Sequence, residues 1–439
     1  TFTSFETARS LRTRVADNLP AGFTGAYGGD LDAGVTCPAY LDKRYCTTPG
    51  FATRDLPDSY TQRYQSDNRL YNWIAKLNFQ LNPNNSLVVQ YIGSPQTFSG
   101  AIGALNGAVG QLVGSTFDNA HDALVHFVSK LAERKLQLDV IAGYHCEDAN
   151  VTPSALGEGP AVLYAVNQSL ATFEPGVTPC NPQTPQAGVT FNPCPVLNYL
   201  DGGFGAITHT TSQRISASAA ATYFARLGGT HALKLGFDFE DDLYRNLRAY
   251  TGGTVYRVRA GGPEIYRQYG TKIPENGPNG DGMVLLQGFS AATSTFNYGA
   301  YLRDSYNVGF IPGLTVNAGV RWEGQQVHDV NGATQIGIYD NWAPRVGAIY
   351  DFTRKGRSKL FASYGRFYES IPLDINDRQF SGEGLISGVG VACNTDGNGR
   401  IDPASCKGPP ITNSQINGGS FGVVSPSLKG MYSEEVSAG

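Results

Sequence analysis

Residues 393–406 read CNTDGNGRIDPASC and place oxygen-bearing side chains at alternate positions between two cysteines. Counted from Asn394 as position one, Asp396 stands at three, Asn398 at five, Gly399 at six, the Arg400 carbonyl at seven and Asp402 at nine. This is the donor order of an EF-hand loop up to position twelve, where Ser405 replaces the bidentate glutamate. Such a set supports coordination of a hard cation, a weak structural calcium site. The alternative is an ion-free loop of Asx turns stapled by a Cys393–Cys406 disulfide. Pro403, Pro409 and Pro410 leave no place for the flanking helices of a calcium sensor.

Other constellations carry less chemistry. There is no HExxH or P-loop pattern. His121 and His126 stand at odd spacing in a strand-like segment, so they face opposite sides and share no metal. Asp238 and Glu240 share a face, yet such a pair belongs equally to any polar channel wall. The chain reads as a non-enzyme. Of its seven cysteines, six fall into close pairs: Cys37 with Cys46, Cys180 with Cys194, and Cys393 with Cys406. Flanked by Pro, Asn and Thr, and without the CxxC spacing of a zinc site, these pairs predict local loop staples made in an oxidising compartment. Cys146 is left over, either free or in a swapped pair.

The elements that would carry such loops follow from composition. Gly 54, Tyr 24 and Phe 22 against Met 2 describe an all-β chain rich in glycine and aromatics. A net charge of −4 and no lysine or arginine run argue against a nucleic-acid partner. No run of about 18 apolar residues is present, which excludes a spanning helix. A spanning strand needs only about 10 residues and hides in alternation.

That alternation is present. In residues 69–81, Tyr71, Trp73, Ala75, Leu77, Phe79 and Leu81 share one face, while Lys76, Asn78 and Gln80 lie on the other. Five hairpins repeat the pattern, at about 68–94, 123–145, 213–242, 295–326 and 342–368, each with a short turn. Between them lie long segments rich in Gly, Pro, Asn and Ser, at about 95–120, 146–210, 243–293 and 370–430, and a shorter one near 325–340. Short turns on one side and long loops on the other are the asymmetry of an outer-membrane barrel. Loops of this length count against a compact soluble domain.

Trp73, Trp322 and Trp342 each lie eight residues from a partner beside a short turn (Leu81, Leu314 and Tyr350). Eight residues at a tilt of about 45° span roughly 19 Å, close to the apolar band of a barrel, so the three predict one membrane girdle on the long-loop side. Gln137, Asp139, Lys234, Asp238, Glu240, Asn317, Arg321, Glu323 and Arg345 fall on the inward face together with Lys76, Asn78 and Gln80. A dry core does not hold so many charges; a wide lumen does.

The segments GTHALKLGFDFE, NYGAYLRDSYNV, LTVNAGVRWEG and NWAPRVGAIYDFTRKGRSKLFASYGRFYE resemble the barrel repeats of TonB-dependent outer-membrane receptors. The last, with Tyr364-Gly365, is most similar to the Oar-like branch. The likeness covers about residues 65–439. It implies an antiparallel transmembrane barrel of 22 strands, an internal plug, contact with the TonB complex, and an unknown ligand taken up through extracellular loops. About ten to twelve strands are readable in residues 1–439, with neither a plug nor a TonB-contacting box, so the chain reads as part of a barrel. Two other readings stand beside it: a non-transporting surface protein displaying stapled loops, and a secreted all-β calcium-binding module.

Overall fold

Extended strands with apolar residues at every second position fold into hairpins because each strand can satisfy its backbone only against a neighbour. The structure, a computed structural model, describes residues 2–8, 13–16, 51–54, 62–101, 107, 109–166, 168–174, 183–186, 189–191, 195–196, 198–274, 281–407, 414–425 and 427–439. Among them, thirteen strands form one antiparallel meander in sequence order. It begins with Phe2–Ala8 and Gln62–Leu70, the latter continued after a two-residue break by Trp73–Asn82. It proceeds through Asn85–Ala101, Val113–Leu131, Leu136–Pro153, Ala206–Arg226 and Gly229–Tyr250. It ends with Gly288–Val308, Leu314–His328, Thr334–Tyr350, Leu360–Tyr368 and Tyr432–Ala438. Among the described residues the sheet runs from Phe2–Ala8 to Tyr432–Ala438 without closing on itself.

The strands run longer than the alternating segments of the sequence. Gly229–Tyr250 has 22 residues, about 70 Å of extended chain. At a tilt of about 45° it rises about 50 Å, well beyond an apolar band of about 25 Å. The segment near 95–120 is accordingly strand over 95–101 and 113–120, and the segment near 325–340 is a hairpin turning at 329–333. Past the membrane both faces of a strand are wet or covered by protein, so the period-two signal fades while the ladder continues.

Register fixes the faces. Leu77 pairs Val89, Val89 pairs Val125 and Val125 pairs Ala142. Further round, Phe237 pairs Ala300 and Ala300 pairs Trp322; one row below, Leu302 pairs Val320. These residues share one side of the sheet, and several large ones are half exposed or more, among them Leu77 at 59%, Leu235 at 61% and Leu302 at 52%. A contiguous apolar surface of this extent is not left to water. The opposite face carries Lys76, Asp139, Lys234, Asp238, Arg321 and Arg345.

Outside the meander, the long segments build a second body. Tyr199–Gly203, Glu158–Tyr164, Thr254–Arg259, Gly262–Pro274, Gly384–Val389 and Ser414–Gly418 form a sheet in that order, and Asp281–Leu286 adds to Gly262–Pro274 as its seventh strand. Thr254–Arg259 and Glu158–Tyr164 pair in parallel, so two separate loops are joined through backbone hydrogen bonds. The core of this head is Val162, Tyr164, Leu170, Phe173, Tyr199, Tyr256, Ile265, Val391 and Ile401. A second cluster of Ala161, Tyr250, Val255 and Tyr269 includes the tip of a barrel strand, making head and wall continuous.

Candidate functional site

The loop 393–406 sits in this head. Cys393 and Cys406 form a disulfide and pack against its core. Gly399 adopts φ +84° where the chain reverses, a conformation that favours glycine. Asp396 Oδ1 accepts the backbone N–H of Asn398 and of Arg400, both at 2.9 Å, and the Arg400 carbonyl accepts the N–H of Asp396 at 2.9 Å. Asp402 Oδ1 accepts the N–H of Ala404 at 3.0 Å. Asp396, Asp402 and the Arg400 carbonyl, three of the five groups counted as calcium donors, thus also accept backbone N–H groups in interlocking turns. Asn394 and Asn398 lie in the same turn, and the Asn394 N–H is bound to Ser405 Oγ at 2.8 Å.

Sequence reasoning assigned Arg400 a carbonyl role and missed its side chain. The guanidinium donates to both oxygens of Asp201, at 2.5 and 2.8 Å, while Ile401 N–H donates to the Tyr164 hydroxyl at 2.9 Å. Asp201 is 2% exposed, so this fork clamps the last outer segment to the one near 146–210, 199 residues earlier. Nothing in the local pattern YLDGG or GNGRID marks the pairing. Around the clamp, Phe173 stacks on Tyr199 with centroids 4.2 Å apart. Burial pushes the Tyr164 hydroxyl up to about 12 and raises the Glu174 carboxyl, even though Tyr199 Oη donates to it.

A helix, Leu373–Phe380, lies on the inner side of the wall below the head. Asn376 Nδ2 donates to the Ser294 carbonyl at 3.0 Å and to Thr295 Oγ1 at 3.2 Å. Asp377 forms an ion pair with Arg248, which also binds Glu383 at 2.6 Å. Phe380 packs on Val327, Ile336 and Ile338.

Trp73 opens the strand Trp73–Asn82, whereas Trp322 and Trp342 stand in the middle of Leu314–His328 and Thr334–Tyr350. Trp322 and Trp342 are direct register partners, Tyr298 stacks on Trp322 at 6.3 Å, and Trp73 packs on Tyr91 at 5.0 Å. Cys146 is a free, half-buried thiol paired in register with His121 and Gln213. His121 and His126 are apart: one meets the Tyr91 hydroxyl at 2.7 Å, the other faces Asp139 at 3.6 Å. Cys37, Cys46, Cys180 and Cys194 lie outside the described residues.

An apolar outer face, a charged inner face, tight turns at one rim and a folded head at the other together define an outer-membrane β-barrel. The chain belongs to the outer membrane beta barrel domain family, whose model matches residues 38–340, and its place is the bacterial outer membrane. It is 29% identical over 447 residues to the TonB-dependent transporter Oar of Myxococcus xanthus, covering 89% of this chain and 41% of Oar. The chain therefore spans about two fifths of that relative's length. Among solved structures, the outer membrane transporter YddB of Escherichia coli is similar over 76% of this chain and 42% of its own, with 12% identity and a TM-score of 0.46. The ferripyoverdine receptor of Pseudomonas aeruginosa is similar over 77% and 42%, with 14% identity and a TM-score of 0.43.

Proposed function

We propose that this chain is the wall and outer head of a TonB-dependent receptor or transporter. The head binds a ligand outside the cell, and the ligand crosses the membrane through the lumen, gated by a plug. The observation that carries this reading is the division of the fold. One continuous meander separates lipid from a charged lumen, and three of the long outer segments leave it to fold together over one rim. A wall built only as an anchor has no need of a charged interior, since an apolar filling would stabilise it more. The partners are then outer-membrane lipid, the TonB complex through the plug, and a ligand whose identity the loops do not encode in any readable way.

A second reading, a surface protein that displays a stapled head without transporting anything, is favoured by the Cys393–Cys406 disulfide and the Arg400–Asp201 clamp, which stiffen the head. The gene that encodes the chain separates the two. Transport requires a plug and a TonB-contacting segment, and the full-length protein should be retained by an immobilised periplasmic domain of TonB. A full-length protein with no such segment and no retention would leave display as the function.

A further inference from the structure

Charge on the inner wall is sorted along the barrel axis. Toward the head the inward side chains include the carboxylates Asp238, Glu240, Asp242 and Glu323, together with Arg214, which holds Asp242 at 2.5 Å, and Arg248, which is bound to Asp377 and Glu383. Two of these carboxylates are tied to one cation, Arg321, at 2.5 Å from Asp238 and 2.6 Å from Glu323. Toward the short turns cations predominate and stand without such partners among the described residues. Lys234 and Arg303 are direct cross-strand partners, and Arg303 pairs Gly319, which pairs Arg345. Three cations thus occupy one row across four strands, interrupted by a single glycine, and Lys359 joins them near the turn.

Like charges placed directly opposite on a sheet face repel. Among the described residues none of Lys234, Arg303 and Arg345 has a carboxylate within ion-pair distance, unlike Arg321. Arg345 lies over the Phe367 ring at 4.4 Å instead. Asp139 and Glu435 also line the space, but the first is engaged with Gln137 and His126 and the second lies beyond Gly365 from Arg345. Asp304 is turned to the outer face, bound to His231 at 2.6 Å. The glycines make room: a side chain at Gly319 would meet Arg303 Cβ at 2.8 Å. The result is a cavity of about 930 Å³ bordered by Lys234, Arg303, Arg321 and Arg345, with Tyr301 and Phe367 as apolar walls. Its size and mix of apolar surface with convergent polar groups suit a small organic ligand.

We infer that this row is an anion-binding site on the lumen wall, and that it takes a carboxylate-bearing solute with a planar apolar part. The inference rests on the transport reading, because it makes the row a station inside the lumen. Arginine forks match carboxylate geometry and the flanking aromatic rings match a planar body. The carboxylate could instead belong to a polypeptide segment inside the same barrel, and the experiment separates the two sources.

The full-length protein in detergent micelles is titrated with benzoate by calorimetry at low salt. Benzoate should bind, and the double variant R303Q/R345Q should bind it about tenfold more weakly or worse. The exposed-turn variant K355Q should match the unmutated protein. In the unmutated protein, benzoate should also protect Arg303 and Arg345 from phenylglyoxal, read by peptide mass spectrometry, which needs no variant to fold. Equal modification with and without benzoate, or undiminished binding by the double variant, would overturn the inference. An unmutated protein that binds no benzoate at any salt would also overturn it, assigning the row to a carboxylate of the protein itself. Heat-modifiable migration, followed in every sample, reports on the barrel separately, so the site can fail while the barrel stands.

Discussion

Asp351 begins the turn after Thr334–Tyr350, and its carboxylate accepts from Thr353 Oγ1 at 2.6 Å, Ser358 Oγ at 2.8 Å and Gly356 N–H at 2.7 Å. These bonds, that of Thr353 first, hold its pKa well below the carboxylate range. A depressed folded-state pKa contributes stability in full above the unfolded value, near pH 4, and the contribution is lost progressively as pH falls from there through the folded-state value. Urea unfolding should therefore show D351N weaker than the unmutated protein at pH 7, with the difference shrinking by pH 3; a constant difference would contradict the hydrogen-bonded turn. In the loop 393–406 the spacing of oxygen donors was legible, but the partner of Arg400 was not, because Asp201 is remote in sequence and close only after folding. Since Asx turns, a disulfide and that ion pair already close the loop, chelation with EDTA should leave the near-ultraviolet circular dichroism of the head unchanged. Loss of that signal would instead make calcium its structural ligand.

Among elements, the strands were legible wherever lipid and lumen impose opposite demands on alternate residues, as in Leu233, Leu235 and Phe237 against Lys234 and Asp238. Above the membrane that contrast vanishes, and the head sheet with its parallel junction could not be read. The helix Leu373–Phe380 was hidden for a related reason: it buries Asn376 and Asp377 along with Phe380, against the usual rule that polar residues face water. Arg248 and Asp377 are 14% and 2% exposed, so R248M leaves a buried carboxylate without its counter-charge, at a cost of about 3–5 kcal/mol. Hydrogen exchange should then quicken across 373–380 while the strands stay protected; a uniform change would argue against a separately anchored helix. Replacing Cys393 and Cys406 by serine should lower the stability of the head by about 3 kcal/mol, given a 13-residue separation, and leave the wall intact. Limited proteolysis that cuts head and wall together would contradict this.

For the whole molecule, the strands at membrane depth and their meander order follow from periodicity and turn length, whereas the union of distant loops into a head depends on contacts no local pattern records. Twelve strand positions, counting the interrupted Gln62–Asn82 as one, are a wall rather than a closed barrel among the described residues. Tests of the wall therefore belong on the full-length protein in lipid vesicles. Brominated phospholipids should quench Trp73, Trp322 and Trp342 with one common depth dependence if the three form a girdle; three different depths would dismiss it. The most direct measurement follows the strand Gly229–Tyr250, with a spin label placed singly at each position from Leu233 to Glu240. Labels at 233, 235, 237 and 239 should collide preferentially with oxygen dissolved in lipid, and labels at 234, 236, 238 and 240 with a water-soluble nickel chelate. That two-residue alternation places lipid on one side of the wall and a wet lumen on the other. Equal access to the chelate at all eight positions would contradict a membrane-spanning wall.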